Sequence, residues 1–325
     1  MRVPKPVLGV GGALGLMLAL QLLALWLLIP FNEAGYEAVD DPSNPAYGAI
    51  FVIVILIASG FMLLAFKYDL QQIIRAAIIG IAGLLTWYVI AALSPRWLLI
   101  EVSGVFFDPL APILAIGVII ALIYHPEWYV IDGAALIIGA GAAALFGISF
   151  SVLPIVLLLV ILAVYDAISV YGTKHMLTLA EGAMSMRLPV LLVIPLSVGF
   201  STSEMVEEQD ETEATPEEVE RDIEAAQEMD AIFLGLGDLV IPSMLIVSAA
   251  SQGLGETVIT FGGLGLGWEV LGAVAGSLLG LIVLMAMVFR GRAHAGLPLL
   301  NGGVILGYLV GALAAGIGLA TALGL

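Results

Sequence analysis

The chain has 325 residues, 61% hydrophobic and 11% charged, with no cysteine and a formal net charge of −17; its mean hydropathy is +1.13. Soluble domains carry about 25% charged residues, so this composition excludes an ordinary soluble enzyme and a disordered chain and points to a polytopic helical membrane protein. The acidic balance excludes a basic nucleic-acid-binding surface, and the lack of cysteine excludes disulfides, thiolate metal sites and Cys nucleophiles.

A helix needs about 20 apolar residues to cross the hydrocarbon, and nine stretches meet or approach that length. The first, Val7–Pro30, follows Arg2 and Lys5. It is too long for a signal-peptide core and no clear A-x-A site follows, so it reads as a retained span. Ala46–Phe66 and Ala76–Leu93 come next, joined by a link that holds Lys67 and Arg75. Pro109–Tyr124 and Val130–Phe146 are short; Asp132 near the start of the latter reads as interfacial or capping. Val152–Gly172 is the sixth span and contains Asp166.

A connection over residues 173–230 follows. Lys174–Met186 suits a short interfacial helix. Leu188–Pro195 is apolar, too short to span, and bounded by Pro189 and Pro195. Residues 201–230 hold 13 of the 27 acids and one base, Arg221, which predicts a solvated, mobile insert. The seventh span, Ala231–Ala250, contains Asp238. Trp268–Phe289 is the eighth, with Glu269 at its end reading as interfacial or capping and Gly272, Gly276 and Gly280 one turn apart. Leu297–Leu323 is the ninth and repeats that spacing at Gly303, Gly307 and Gly311. Small residues at i, i+4 let helix backbones approach closely, so these glycines predict tight packing and no chemistry.

The chain therefore divides into residues 1–172 (spans one to six), 173–230 (the connection) and 231–325 (spans seven to nine). With a cytoplasmic N-terminus, nine of the ten Lys and Arg residues fall on the inside and only Arg96 outside. That bias fixes orientation. The expected fold is an all-α membrane protein of nine transmembrane helices, N-terminus cytoplasmic and C-terminus outside.

Charged groups deep in a span are costly and by default functional. Asp166 and Asp238 lie well inside, with no Lys or Arg at comparable depth. Counted along continuous helices at about 1.5 Å per residue, both lie about 9–10 Å from the cytoplasmic boundary, so adjacent antiparallel spans bring them face to face. Two carboxyls in one dry site do not both ionise easily, and such a pair holds one proton between them. One member can then take a proton from water while the other protonates a carbonyl, the arrangement that hydrolyses a peptide bond without a covalent intermediate. A proton-coupled transporter or channel also uses intramembrane carboxylates, and on these grounds the two readings stand nearly even. A zinc protease is excluded, because no H-E-x-x-H occurs and His125, His175 and His294 all fall at span ends or in loops. No metal, nucleotide or other cofactor is implied.

The surroundings of the two acids break the tie. The sixth span reads Ala163-Val164-Tyr165-Asp166-Ala167, the seventh Gly235-Leu236-Gly237-Asp238-Leu239-Val240-Ile241-Pro242, and the ninth opens Gly296-Leu297-Pro298-Leu299-Leu300. A Tyr-Asp pair, a GxGD motif and a proline motif in these spans resemble the presenilin and signal peptide peptidase family of intramembrane aspartyl proteases, and most of all its archaeal members. The resemblance covers the whole chain. It implies a presenilin-like fold and a catalytic pair at Asp166 and Asp238. Leu299 departs from it, standing where the family motif usually has Ala; Pro298 and Leu300 fit. Leu188–Pro195 is similar to an apolar stretch after the sixth span in signal peptide peptidases.

Around the pair, Gly235 and Gly237 leave room beside Asp238 for a substrate backbone or for close helix packing. Leu236 lies between them. Pro298 disfavours helix at Leu297, so Leu297, Pro298 and Leu299 either present non-helical backbone to a substrate or form an ordinary helix start. Tyr165 points about 100° away from Asp166 on an ideal helix and reads as a cleft wall. Hydrolysis of a transmembrane helix requires local unwinding, and the freed backbone groups need partners inside the membrane. Val190, Leu191, Leu192 and Val193 are the expected strand for that pairing. The expected partners are transmembrane peptide or protein substrates and the lipid bilayer, with a homo-oligomer left open.

Overall fold

The computed structural model describes residues 5–39, 42–44, 46–68, 70–94, 98, 100–102, 105–170, 191–196, 231–289 and 295–325. The expected interfacial helix 174–186, the acidic insert 201–230 and Val190 lie outside them.

Nine helices dominate the described residues: α1 (Lys5–Glu33), α2 (Ala46–Lys67), α3 (Gln71–Leu93), α4 (Leu110–Tyr124), α5 (Trp128–Ser149), α6 (Val152–Ile168), α7 (Leu236–Gln252), α8 (Trp268–Val288) and α9 (Gly296–Ala314). A short tenth, α10 (Leu319–Leu323), ends the chain. Most are apolar all round, which suits helices that meet lipid or protein on every side. Five stretches are long and apolar enough to cross a membrane: Val7–Glu33 of α1, Gln72–Leu93 of α3, α5, α8 and α9. Residues 46–61 of α2, together with α4, α6 and α7, are equally apolar in character but shorter.

The chain is mostly helical rather than all-α. Three antiparallel hairpins occur among the described residues: β1 (Ile100–Val102) with β2 (Val105–Phe107), β3 (Leu191–Pro195) with β4 (Ala231–Gly235), and β5 (Ile259–Phe261) with β6 (Leu264–Leu266). The second corrects the expected seventh span. Ala231–Gly235 is a strand in register with Leu191–Pro195, and the helix begins only at Leu236. The expected ninth span is also divided. The helix stops at Ala314, the chain turns at Gly316 (φ 75°), and Leu319–Leu323 packs back, with the buried Tyr308 hydroxyl donating to the Ala322 carbonyl at 2.6 Å.

α1 runs through the bundle against α5, α7 and α8, while α6 packs on α2, α7 and α9. One apolar core joins Met17 and Leu20 of α1, Leu158 and Leu159 of α6, Leu239 and Leu245 of α7, and Leu300 and Val304 of α9. The most extensive helix pair is α8 with α9, where the glycine ladder lies. A methyl group on Gly272 would stand 2.3 Å from the Gly307 carbonyl oxygen, one on Gly276 2.1 Å from that of Gly303, and one on Gly280 2.5 Å from that of Leu299. The expected role of these glycines in close packing holds.

Two acids expected at the interface are buried instead. Glu269, in the first turn of α8, is 1% exposed and accepts the Gly255 N–H at 3.3 Å. Asp132, on α5, is 6% exposed and binds the backbone of β3. Both positions look terminal in sequence, but neighbouring loops and strands cover these helix ends.

Candidate active site

Three helices meet at one point: the last turn of α6 and the first turns of α7 and α9. Asp166 of α6 is 5% exposed, and its Oδ2 accepts the Leu297 N–H at 3.0 Å. The Gly296 N–H donates to the same carboxyl. On the other side of Gly296, a Cβ there would stand 3.1 Å from Asp238 Oδ2. Gly296 thus touches both acids, and the two carboxyls are within electrostatic reach of each other.

The local sequence explains this placement. α9 begins at Gly296 with Pro298 in its first turn, where a missing N–H is tolerated because that donor has no intrahelical acceptor. Leu297–Leu299 is therefore helical, and the ordinary helix start is what forms. Its free N–H groups are used nonetheless: those of Gly296 and Leu297 point at Asp166. One turn on, the buried Asn301 side chain donates to the Leu159 carbonyl at 2.9 Å and ties α9 to α6 a second time.

Asp238 occupies the first turn of α7, not a position deep in a continuous helix. Gly235 is its N-cap residue, with extended backbone (ψ 127°). The end of strand β4 thus runs straight into the helix that carries the acid. A carboxylate in a first turn is favoured by the helix dipole. Pro242 lies four residues later and has no N–H, so the Asp238 carbonyl lacks its intrahelical donor. A methyl group on Gly235 would stand 3.3 Å from Asp238 Oδ2. Gly237 is exposed and faces open space, with only Ile241 Cδ1 at 4.0 Å from the position of a Cβ.

Of the other expected site residues, Leu236 is half-buried and packs toward Gly139 of α5, where a Cβ would be 2.8 Å from Leu236 Cδ1. Tyr165 and Pro298 are half-buried, Leu297 is buried, and Leu299 packs against the apolar core. Leu191, Leu192 and Val193 lie in β3, with one edge paired to β4 and the other toward α5. The sequence reading missed Gly296 and Asn301 as parts of this site. Asn301 had a legible signal: a polar side chain four residues after Leu297, hence on the same helical face.

Gly296→Val is expected to lower kcat/KM for a cleavable transmembrane peptide by about 10²-fold, because its branched side chain displaces the Asp238 carboxyl by the order of an ångström. Steady-state kinetics on the purified variant check this, with an unchanged thermal midpoint showing that the fold survives.

The comparisons with known proteins bear on the same constellation. The family model described as "signal-peptide peptidase, presenilin aspartyl protease" matches residues 14–317. Among solved structures, a presenilin family intramembrane aspartate protease is similar in two crystal forms. The form in space group C222 is 33% identical with a TM-score of 0.61, and the form in P2 is 34% identical with a TM-score of 0.63. In each case the match covers 94% of this chain and 97% of that chain. No curated protein sequence matches significantly.

Proposed function

The chain belongs to the signal-peptide peptidase and presenilin family of aspartyl proteases, and from that premise we propose that Asp166 and Asp238 are its catalytic pair. The protein is a multi-pass membrane enzyme, an intramembrane aspartyl endopeptidase acting on transmembrane segments within the bilayer. The observation that carries the residue assignment is the meeting of the three motifs at Gly296. Its N–H and that of Leu297 hold Asp166, while its missing side chain leaves space for Asp238.

The reaction then needs only these two groups and water. The ionised carboxylate takes a proton from a water whose oxygen bonds to the scissile carbonyl carbon. The protonated carboxyl gives its proton to the carbonyl oxygen, forming a gem-diol. Collapse of that intermediate breaks the C–N bond: the proton first taken from water passes to the departing amine, and the carboxylate that protonated the carbonyl takes a hydroxyl proton back as the C=O bond re-forms, so one proton is again left on the pair. The pair titrates jointly, and activity requires one proton on it. Cleavage should therefore rise and then fall with pH, checked by initial rates across the range in which the protein remains folded.

Nine spans with a cytoplasmic N-terminus and an outside C-terminus are the organisation we favour. Five long and four shorter apolar helices support it, as does the Lys and Arg distribution. On that orientation the carboxyl pair lies toward the cytoplasmic side. The substrate segment enters laterally, unwinds and adds as a strand. Leu191–Val193, the strand expected from sequence to pair with the substrate, have one edge on β4 and the other on α5, so they back the ribbon, and the outer edge of β4 is the face to which the substrate adds. Gly235, Leu236 and Gly237 line its approach to Asp238, with Tyr165, Leu297, Pro298 and Leu299 on the opposite wall.

The test is purified protein in lipid vesicles given a reporter transmembrane peptide under an imposed pH gradient. Cleavage that stops in Asp166→Asn, with no dissipation of the gradient, supports the protease reading. A gradient dissipated by the wild type but not by that variant, without cleavage, would favour a transporter.

A further inference from the structure

Asp132 takes no part in the carboxyl pair, yet it is a buried acid on the apolar helix α5. Its Oδ1 accepts the Val193 N–H at 2.8 Å. That bond says which way the ribbon faces. In an antiparallel pair, a residue whose N–H turns away from its partner strand sits at a non-hydrogen-bonded position. Val193 is opposite Phe233, so Phe233 also turns its backbone groups outward. By the period of two, Ala231 and its partner Pro195 do the same. Pro195 fits this pattern because it has no N–H to give to the ladder.

The ribbon thus has two outer edges. The β3 edge faces α5 and is held by Asp132. The β4 edge carries the outward groups of Ala231 and Phe233, to which no bond is made among the described residues. The remaining face is seated on α1. The cross-strand pair Ile194 and Ile232 sits over two α1 glycines, since a Cβ on Gly12 would stand 2.7 Å from Ile194 Cγ2 and one on Gly9 2.4 Å from Ile232 Cδ1. A two-stranded ribbon is marginal alone; this one is packed between α1 and α5, and on the α5 side the Asp132 carboxylate takes an outward backbone N–H of β3. β4 ends at Gly235, three residues before Asp238. Any slip of the ribbon therefore moves an added strand against the catalytic carboxyl.

We propose that Asp132 is a positioning residue. By holding β3 from the side opposite β4, it fixes the ribbon against Asp238 and so sets which substrate bond reaches the carboxyl pair. This rests on the strand-addition reading above. A buried backbone N–H that loses its acceptor is costly, so removing the Asp132 carboxyl frees β3 to shift toward another partner.

The experiment uses full-length protein in detergent, a transmembrane reporter peptide and mass spectrometry of every product. D132L, which keeps the branching at Cγ and removes the acceptor, should raise KM by about tenfold. It should also spread the cuts to neighbouring bonds, with kcat falling less than KM rises. D132N keeps an acceptor oxygen and should rescue both KM and the cut position. V193P removes the same bond from the strand side without taking a donor from the β3–β4 ladder and should reproduce D132L. The double variant should be no worse than either single one, as expected for one shared interaction. Wild-type bonds and KM in a folded D132L, or failure of D132N to rescue, would overturn the proposal. If D132L does not fold, V193P decides: an unchanged cut pattern and KM overturn it. These outcomes are separate from the catalytic assignment, which falls only if Asp166 or Asp238 variants still cleave.

Discussion

Asp166→Asn and Asp238→Asn are each expected to lower kcat for a transmembrane reporter by about 10⁴-fold, the upper end of what positioned acid–base groups supply. Asn is the informative replacement. At Asp166 its side-chain oxygen still accepts the Leu297 N–H, so α6 and α9 stay joined. At Asp238 it keeps the volume that Gly235 and Gly296 are shaped around. Replacing a buried or half-buried carboxyl by a neutral amide also relieves desolvation of the charged form, so neither variant should lose helix content or thermal midpoint. What each loses is the ability to hold or pass a proton. The double variant should be no slower than either single one, because groups that act as a unit are not additive. Single-turnover rates with thermal unfolding on the same preparations check both halves. Retained cleavage in either single variant removes that residue from the mechanism.

Gly276→Val is expected to destabilise the protein and to remove activity with it. The obstacle is backbone, not a flexible side chain: a methyl group at Gly276 meets the Gly303 carbonyl oxygen at 2.1 Å, and one at Gly303 meets that of Gly276 at 2.4 Å. Overpacking usually costs about 1–3 kcal/mol, and two helices that must separate along a shared ladder place this variant at the upper end. The functional loss follows from geometry. Gly280 packs on the Leu299 carbonyl at the end of the ladder nearest the site. A displaced α9 therefore carries Gly296 and Leu297 away from Asp166. Gly302→Ala is the control. It lies in the same helix with nothing within 4 Å of the added carbon, and should be neutral or stabilise by about 0.4–1 kcal/mol. Thermal midpoints in one detergent check the pair.

The carboxyl pair was legible because a charge in hydrocarbon has few reasons to be there, and Asp166 and Asp238 stood out against spans without Lys or Arg. The glycine ladder was legible because its four-residue spacing is a one-turn repeat. The ribbon was not. Ala231–Gly235 is apolar and continuous with an apolar helix, and periodicity cannot divide such a run. Only its pairing with Leu191–Pro195, distant in sequence, makes it a strand. Counting it as helix placed Asp238 two turns inside α7, whereas the acid lies in the first turn. Asp132 and Glu269 were misread for a related reason. A residue near a helix end is interfacial only if that end is bare, and here β3 and the Gly255 turn cover them.

One mass spectrum tests the two-aspartate mechanism most directly. Wild-type protein in lipid vesicles cleaves a transmembrane reporter in ¹⁸O-enriched water containing hydroxylamine. Direct attack of water between Asp166 and Asp238 predicts a cut inside the hydrocarbon-spanning part of the reporter, one solvent oxygen in the new carboxylate and no hydroxamate. A hydroxamate product, an adduct on either aspartate, or cuts confined to the reporter's aqueous ends would contradict it.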